Sequence, residues 1–230
     1  MGNEALPTQT FQTMSSLVSY PSRCSLWGDG NYRGNCDGTL LRDLVLRYRP
    51  KRVADPMMGS GTTRDVIRWL NERNDNRIQF WGGDLRTGFN LLAEPLPGRF
   101  DFVWLHPPYW NIVRYSDGAP GDLSCMDDYA EFRTSLKACL CRCAEALRPG
   151  GRLAVLVADV RRRGRYIPLV REVLSIEGLL GQVRSIIIKA QHNCRSDRVR
   201  YGRMEDVPIK HEYCVVFKKP APVGSQGRAA

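Results

Sequence analysis

The sequence predicts an α/β domain in which helices cover a mostly parallel sheet. Three observations point to it. Strand-like apolar runs alternate with helix-periodic ones along most of the chain. Leu153 to Ala158 (LAVLVA) is apolar throughout, as a strand buried on both faces of a parallel sheet must be. A glycine turn, DPMMGSGTT from Asp55 to Thr63, joins a strand to a helix.

Taken in order, Leu40 to Tyr48 is a helix, with apolar residues at 40, 41, 44, 45 and 48 and Pro50 beyond its end. Arg52 to Ala54 is a short strand entering the glycine turn. Thr62 to Leu70 is a helix with Val66, Ile67 and Leu70 on one side. Ile78 to Trp81 and Phe100 to Leu105 (FDFVWL) are the next strands. Tyr129 to Leu147 reads as an amphipathic helix stopped by Pro149-Gly150-Gly151. After the 153–158 strand, Ile167 to Ile176 is helical, Val183 to Lys189 a strand, and Tyr213 to Lys218 the last strand.

The chain has 230 residues, enough for one sizeable core, and 43% of them are hydrophobic against 25% charged. No run approaches the ~18 apolar residues of a membrane span, and the start, MGNEALPTQT, lacks a signal peptide's apolar stretch. A cytoplasmic location with no membrane partner is therefore expected. Residues 1–20 read as a flexible start, 21–219 as the single domain, and 220–230 as a disordered tail. Lys plus Arg outnumber Asp plus Glu by 34 to 24, giving a net charge of +10 that suits a polyanionic partner. Of eight cysteines, Cys139, Cys141 and Cys143 sit at i, i+2, i+4 in a helical stretch, where the middle one points away from the others. With no CxxC pair anywhere, no metal is expected, and the thiols read as reduced packing groups.

Two segments hold the chemical signals. In the first, Gly59 and Gly61 permit close backbone approach to a ligand, the helix behind them offers N–H donors, and Asp55 closes the strand. The loop lacks the Gly-Lys-Ser/Thr ending of a phosphate-binding Walker loop, and Arg64 stands where a full GxGxxG would end. Asp84 follows 23 residues after Gly61, about where nucleotide-binding α/β folds place a carboxylate for the ribose. In the second, HPPYW (His106 to Trp110) follows the FDFVWL strand directly, placing a proline-stiffened step where open α/β sheets bind ligands.

Together, DPMMGSGTT and HPPYW resemble the S-adenosylmethionine-dependent DNA methyltransferases that modify adenine N6 or cytosine N4. That family has a DPF-type GSGTT loop and an (Asp/Asn/Ser)-Pro-Pro-Tyr motif. The resemblance extends over roughly residues 25 to 219, including 32–49, the Asp159-Val160-Arg161 segment and the closing HEYCVVFKK. It implies a Rossmann-like methyltransferase fold with an antiparallel last strand. It also implies S-adenosylmethionine as cofactor, held by Asn35, Asp55, Pro56, Met57, Gly59, Gly61, Thr62, Thr63, Asp84, Leu85, Phe89 and Asn90. By the same analogy His106, Pro107, Pro108 and Tyr109 are catalytic, with Asp84 on the ribose and Phe89 or Asn90 near the adenine. Two features depart from the pattern. His106 replaces the usual Asp, Asn or Ser, and only one acidic turn, GGDLRTGFNLL, lies between the two motifs.

An aromatic amino nitrogen is a poor nucleophile because its lone pair is delocalised. Acceptors on both N–H bonds favour a localised geometry, and His106 and the Pro107 carbonyl are the candidates, with Tyr109 stacking on the extruded base. Neutral imidazole accepts and imidazolium does not, so activity should fall below about pH 6.5. The cytosine-C5 chemistry needs a Pro-Cys nucleophile, which is absent. For duplex DNA the candidates are Trp110, Arg161, Arg162, Arg163 and Arg165, and a second group of Arg195, Arg198, Arg200 and Arg203. Residues 190–210 form the candidate recognition segment; its small size suggests a short site, a partner or a homodimer, as in a restriction-modification methylase. Adenine and cytosine both stay open. So do RNA or a protein glutamine as acceptor, and a non-catalytic nucleic-acid-binding relative.

Overall fold

A computed structural model describes residues 14–73, 77–192 and 205–221. Along the chain come β1 (Leu17–Ser19), α1 (Thr39–Tyr48), β2 (Arg52–Asp55), α2 (Thr62–Asn71), β3 (Gln79–Gly82) and β4 (Phe100–Leu105). There follow α3 (Tyr129–Glu145), β5 (Leu147–Val157), β6 (Val160–Arg162), β7 (Arg165–Ile167), α4 (Leu169–Leu174), α5 (Glu177–Leu180), β8 (Gln182–Ala190) and β9 (His211–Lys218).

Seven strands form one sheet in the order β1-β8-β9-β5-β4-β2-β3. The β1–β8, β2–β3, β2–β4 and β4–β5 pairs are parallel, while β9 runs antiparallel to both β5 and β8. The architecture is thus α/β and Rossmann-like, with the expected antiparallel last strand.

Period-two alternation builds two cores from single strands. Val103 and Leu105 of β4, Leu153, Val155 and Val157 of β5, and Val215 and Phe217 of β9 face the layer of α3, α4 and α5. Their neighbours Phe102, Trp104, Ala154, Leu156, Cys214 and Val216 face α1 and α2. Each large side chain so buried contributes about 1.5–3 kcal/mol relative to exposure. Cys139 and Cys143 are buried in the first core as packing groups, and burial raises the Cys139 thiol to about 12.

The strand order reverses at β2, with β3 on one side and β4 on the other. An open α/β sheet has its crevice at such a point, beyond the carboxyl ends of the strands. The glycine turn leaves β2 there and HPPY leaves β4 there, so sequence order alone brings the two motifs to one crevice.

The structure corrects three expectations. Leu17–Ser19, within the stretch expected to be mobile, pairs with Ile188–Ala190 of β8. Pro149-Gly150-Gly151 does not stop α3; the helix ends at Glu145 and β5 begins at Leu147. Phe100 pairs with Leu147 but Phe102 with Arg152, so residues 148–151 bulge out of the ladder, with Gly150 at φ 77°. Finally, Ile167 belongs to a strand. The β6–β7 hairpin, turning through Arg163 (φ 50°) and Gly164 (φ 76°), precedes a helical region split into α4 and α5. Arg195, Arg198, Arg200 and Arg203, most of the 190–210 segment, and most of residues 1–20 and 220–230 lie outside the described residues.

Candidate active site

The loop after β2 is braced from within. Gly59 and Gly61 take φ of 54° and 91°, left-handed values that disfavour side chains, and let the chain reverse into α2. The buried Asp55 carboxylate accepts from the Met57 N–H at 3.1 Å and the Thr63 hydroxyl at 2.5 Å. Burial, with Asp84 adding repulsion, pushes Asp55 up to about 7 against the pull of those two bonds. Thr62 donates to the Asn35 side-chain oxygen at 2.5 Å, and Asn35 donates to the Asp29 carbonyl at 2.7 Å. The amides of Met58 and Gly61 bond to the Gly83 and Met58 carbonyls, both at 3.0 Å.

The Gly59 N–H donates to Asp84 at 2.9 Å. Asp84 also caps the single 3-10 turn Leu85–Thr87, accepting from the Arg86 amide at 3.1 Å and its guanidinium at 3.0 Å. Arg86 in turn reaches the Gly59 carbonyl and lies over the Tyr32 ring, 4.7 Å from its centroid. Loop amides expected to face a ligand are therefore largely engaged inside the protein.

One cavity joins the two motifs. Pro56, Met57, Asp84, Leu85, Phe89 and Asn90 line it together with His106, Pro107, Pro108 and Tyr109. Asn35, Asp55, Gly59, Gly61, Thr62 and Thr63 do not line it; they form the scaffold behind it. Tyr32 and Tyr115, stacked with centroids 5.8 Å apart, add an aromatic wall. Asn90 donates to the Pro120 carbonyl at 3.2 Å, tying the β3–β4 connection to the loop that carries Asp122. Burial opposes ionisation of Asp122, but hydrogen bonds from Ser124 and Ser116 hold its carboxyl below the usual range.

The partly buried His106 and Tyr109 open a chain of polar groups that leads inward to Glu212 and Lys189. His106 Nε2 lies 2.8 Å from the Tyr109 hydroxyl, which donates to Glu212 Oε1 at 2.7 Å. Glu212 Oε2 accepts from Lys189 Nζ at 2.9 Å, and Asp37 lies 3.7 Å from the same ammonium. Burial acts to raise Glu212, but Lys189, His106 and the Tyr109 hydrogen bond hold it below the usual carboxylate range. Burial lowers His106 despite the opposing pull of Glu212. Burial and Glu212 together raise Tyr109 well above 10. Glu212 falls in the HEYCVVFKK segment without a role read from it, and Lys189 falls in no motif; only the β8–β9 register makes them partners.

Trp110 (φ 54°) turns away from the cavity. Its indole N–H donates to the Met126 carbonyl at 2.9 Å, and its ring packs between Tyr129 (5.2 Å) and the Arg162 guanidinium (5.2 Å). The arginine hairpin thus sits beside HPPYW. Arg161 pairs with Asp206 at 2.6 Å, while Arg163 and Arg165 are exposed. Among the described residues, no group of His, Cys, Asp and Glu could hold a metal, and no helix is long and apolar enough to cross a membrane.

No family model and no curated protein matches the chain. Among solved structures it is similar to a candidate class I S-adenosylmethionine-dependent methyltransferase from Listeria monocytogenes, at 15% identity and a TM-score of 0.50. That match covers 84% of this chain and 62% of that one. It is also similar to a candidate DNA modification methylase from Thermus thermophilus, complexed with S-adenosyl-L-methionine, at 21% identity and a TM-score of 0.40. Here the match covers 77% of this chain and 59% of the other, so the chain spans little more than half of that protein's length. At such identities the likeness is one of fold, and the chain has the α/β Rossmann-like architecture of the Listeria protein.

Proposed function

We propose that the chain transfers a methyl group from S-adenosylmethionine to the exocyclic amino group of adenine (N6) or cytosine (N4) in DNA. The single observation that supports this most is that Pro56 and Met57, of the loop after β2, and the HPPY step after β4 wall one cavity. Both loops leave neighbouring strands at the sheet's switch point, where open α/β sheets bind their ligands.

The residues present fit the cofactor. A nucleoside needs an acidic acceptor for its hydroxyls and an apolar slot for its base. Asp84 supplies the first, and Leu85 and Phe89 the second, with Phe89 held edge-on against Trp81 at 4.8 Å. Met57 and Pro56 line the side toward His106. When bound, the cofactor supplies an electrophilic methyl group on a sulfonium. The protein's part is to hold the target amine. His106 and the Pro107 carbonyl accept from its two N–H bonds, localising the lone pair. The target base must leave the duplex to enter, at a cost of a few kcal/mol. Tyr109 offers its ring to that base while its hydroxyl stays engaged with Glu212. The hairpin arginines Arg163 and Arg165, beside Trp110, supply cationic groups for backbone phosphates.

The test is methyl transfer from labelled S-adenosylmethionine to mixed-sequence duplex DNA, RNA and protein, with the products digested and resolved by mass spectrometry. N6-methyladenine or N4-methylcytosine in DNA is the expected product. Label confined to RNA or to protein glutamine would overturn the DNA assignment, and cofactor binding without transfer to anything would overturn the enzymatic one.

A further inference from the structure

Glu212 and Lys189 lie outside both motifs, yet they are joined to the catalytic step by hydrogen bonds. The order of donors along that chain fixes a proton. Lys189 can only donate, so Glu212 Oε2 accepts. An ionised carboxylate can only accept, so the Tyr109 proton points to Glu212 Oε1 at 2.7 Å. The Tyr109 oxygen then has only lone pairs to offer His106 Nε2 at 2.8 Å, and that nitrogen must bear hydrogen. In a neutral ring the bare nitrogen is Nδ1, which bonds no described residue, and His106 lines the cavity.

We propose that Glu212 and Lys189 are positioning residues that, through Tyr109, lock His106 in the Nε2–H tautomer so that Nδ1 is the acceptor offered to the substrate amine. The inference rests on the methyl-transfer reading for its substrate, but the locked tautomer stands on this chain alone. Asp, Asn or Ser at this position carries an acceptor oxygen whatever its surroundings. Histidine accepts only if the correct nitrogen is bare, so replacing those residues by His106 creates a need for the relay. The relay also has a fixed geometry: Lys189 and Glu212 are register partners across β8 and β9, so the sheet sets the spacing of its far end.

Two-bond proton–nitrogen NMR on the full chain separates a protonated ring nitrogen from a bare one. The sequence has three histidines, and H106N assigns the relevant signal. The wild type is expected to show Nε2 protonated and Nδ1 bare. In Tyr109→Phe and Glu212→Gln, which keep size and shape, that preference is expected to relax toward a mixture while melting remains cooperative. For E212Q, kcat for methyl transfer should fall about 10–100-fold, the size usual for partners that orient a histidine, with KM for the cofactor unchanged. A wild-type ring protonated at Nδ1, or a tautomer unmoved in both variants, overturns the proposal. The NMR result decides it whether or not transfer is detected. Failure of transfer with an intact Nε2–H tautomer instead counts against the proposed substrate.

Discussion

Lys189 and Glu212 face each other across the antiparallel β8–β9 pair, 2.9 Å apart, with side chains only 10 and 11% exposed. A charge pair so enclosed is stabilising only while both members are present. Lys189→Met should cost about 3–5 kcal/mol, because it strands the Glu212 carboxylate. Lys189→Met combined with Glu212→Gln should recover much of that loss. Equilibrium denaturation of the two single variants and the double closes the cycle; a double variant as unstable as the sum of the singles would show that the pair is not coupled.

The pH dependence of activity should sit lower than the sequence suggests. Unperturbed histidine would lose its acceptor near pH 6.5, but burial lowers His106, with Lys189 adding to that effect and Glu212 opposing it. Single-turnover transfer should stay flat from pH 8 through 6.5 and fall only in more acid solution. The linked stability has the same sign. Below 6.5 the unfolded ring takes up a proton that the folded ring refuses, so stability falls as pH drops. A midpoint at 6.5 or above would contradict the lowering of His106 by its surroundings.

Asp55 works in the other direction. Its carboxyl is raised from 3.8 to about 7 by burial, so between those values the folded state holds a proton that the unfolded state has lost. This contribution is fully present below about pH 4 and disappears as pH rises through 7. Asp55→Asn removes the titration while keeping an acceptor for the Met57 amide. Melting temperatures from pH 4 to 8 should fall less steeply in the variant than in the wild type; parallel curves would refute this.

Asp84 links the glycine loop to the cavity. Asp84→Ala removes the acceptor of the Gly59 amide and the cap of the 3-10 turn, at about 1–3 kcal/mol for the unmade bond. Calorimetric affinity for S-adenosylmethionine should fall at least tenfold (about 1.4 kcal/mol), and more than in Thr62→Ser, which keeps its hydroxyl behind the cavity. Equal affinities would remove Asp84 from the cofactor site.

The hairpin arginines should reveal themselves through salt. For duplex DNA the slope of log K against log salt changes by about 0.9 for each phosphate no longer neutralised. Replacing the exposed Arg163 and Arg165 by Gln should flatten it by up to about 1.8, while leaving Arg162 against the Trp110 ring. An unchanged slope would take the hairpin out of the interface.

How much was legible beforehand follows from how local each signal is. LAVLVA announces β5 because a strand buried on both faces has no polar position to disguise it, and FDFVWL announces β4 with a single polar interruption at Asp101. The glycine turn and HPPY fall where the strand ends put them. The fate of Pro149-Gly150 was not legible, since a helix stop and a β-bulge use the same residues and only the pairing of Phe100 and Phe102 distinguishes them. Arg163-Gly164 is an unusual hairpin turn, with arginine at a left-handed position. Asp55, Thr62 and Thr63 have the residue types of ligand contacts, yet their partners are each other, Met57 and Asn35. Glu212 was invisible for the opposite reason: 103 residues separate it from Tyr109, and no short-range pattern encodes a contact made by the last strand.

The three residues of β1 have a protective role out of proportion to their length. They pair with Ile188–Ala190 at the outer rim of β8, a nine-residue strand whose Ile186 and Ile188 are already 40 and 38% exposed. Being so short, β1 presents few free backbone groups of its own. A chain beginning at residue 21 would bare the Ile188–Ala190 end of β8 for strand addition beside the exposed Ile186, and such a truncation should aggregate even though every residue around the cavity is kept.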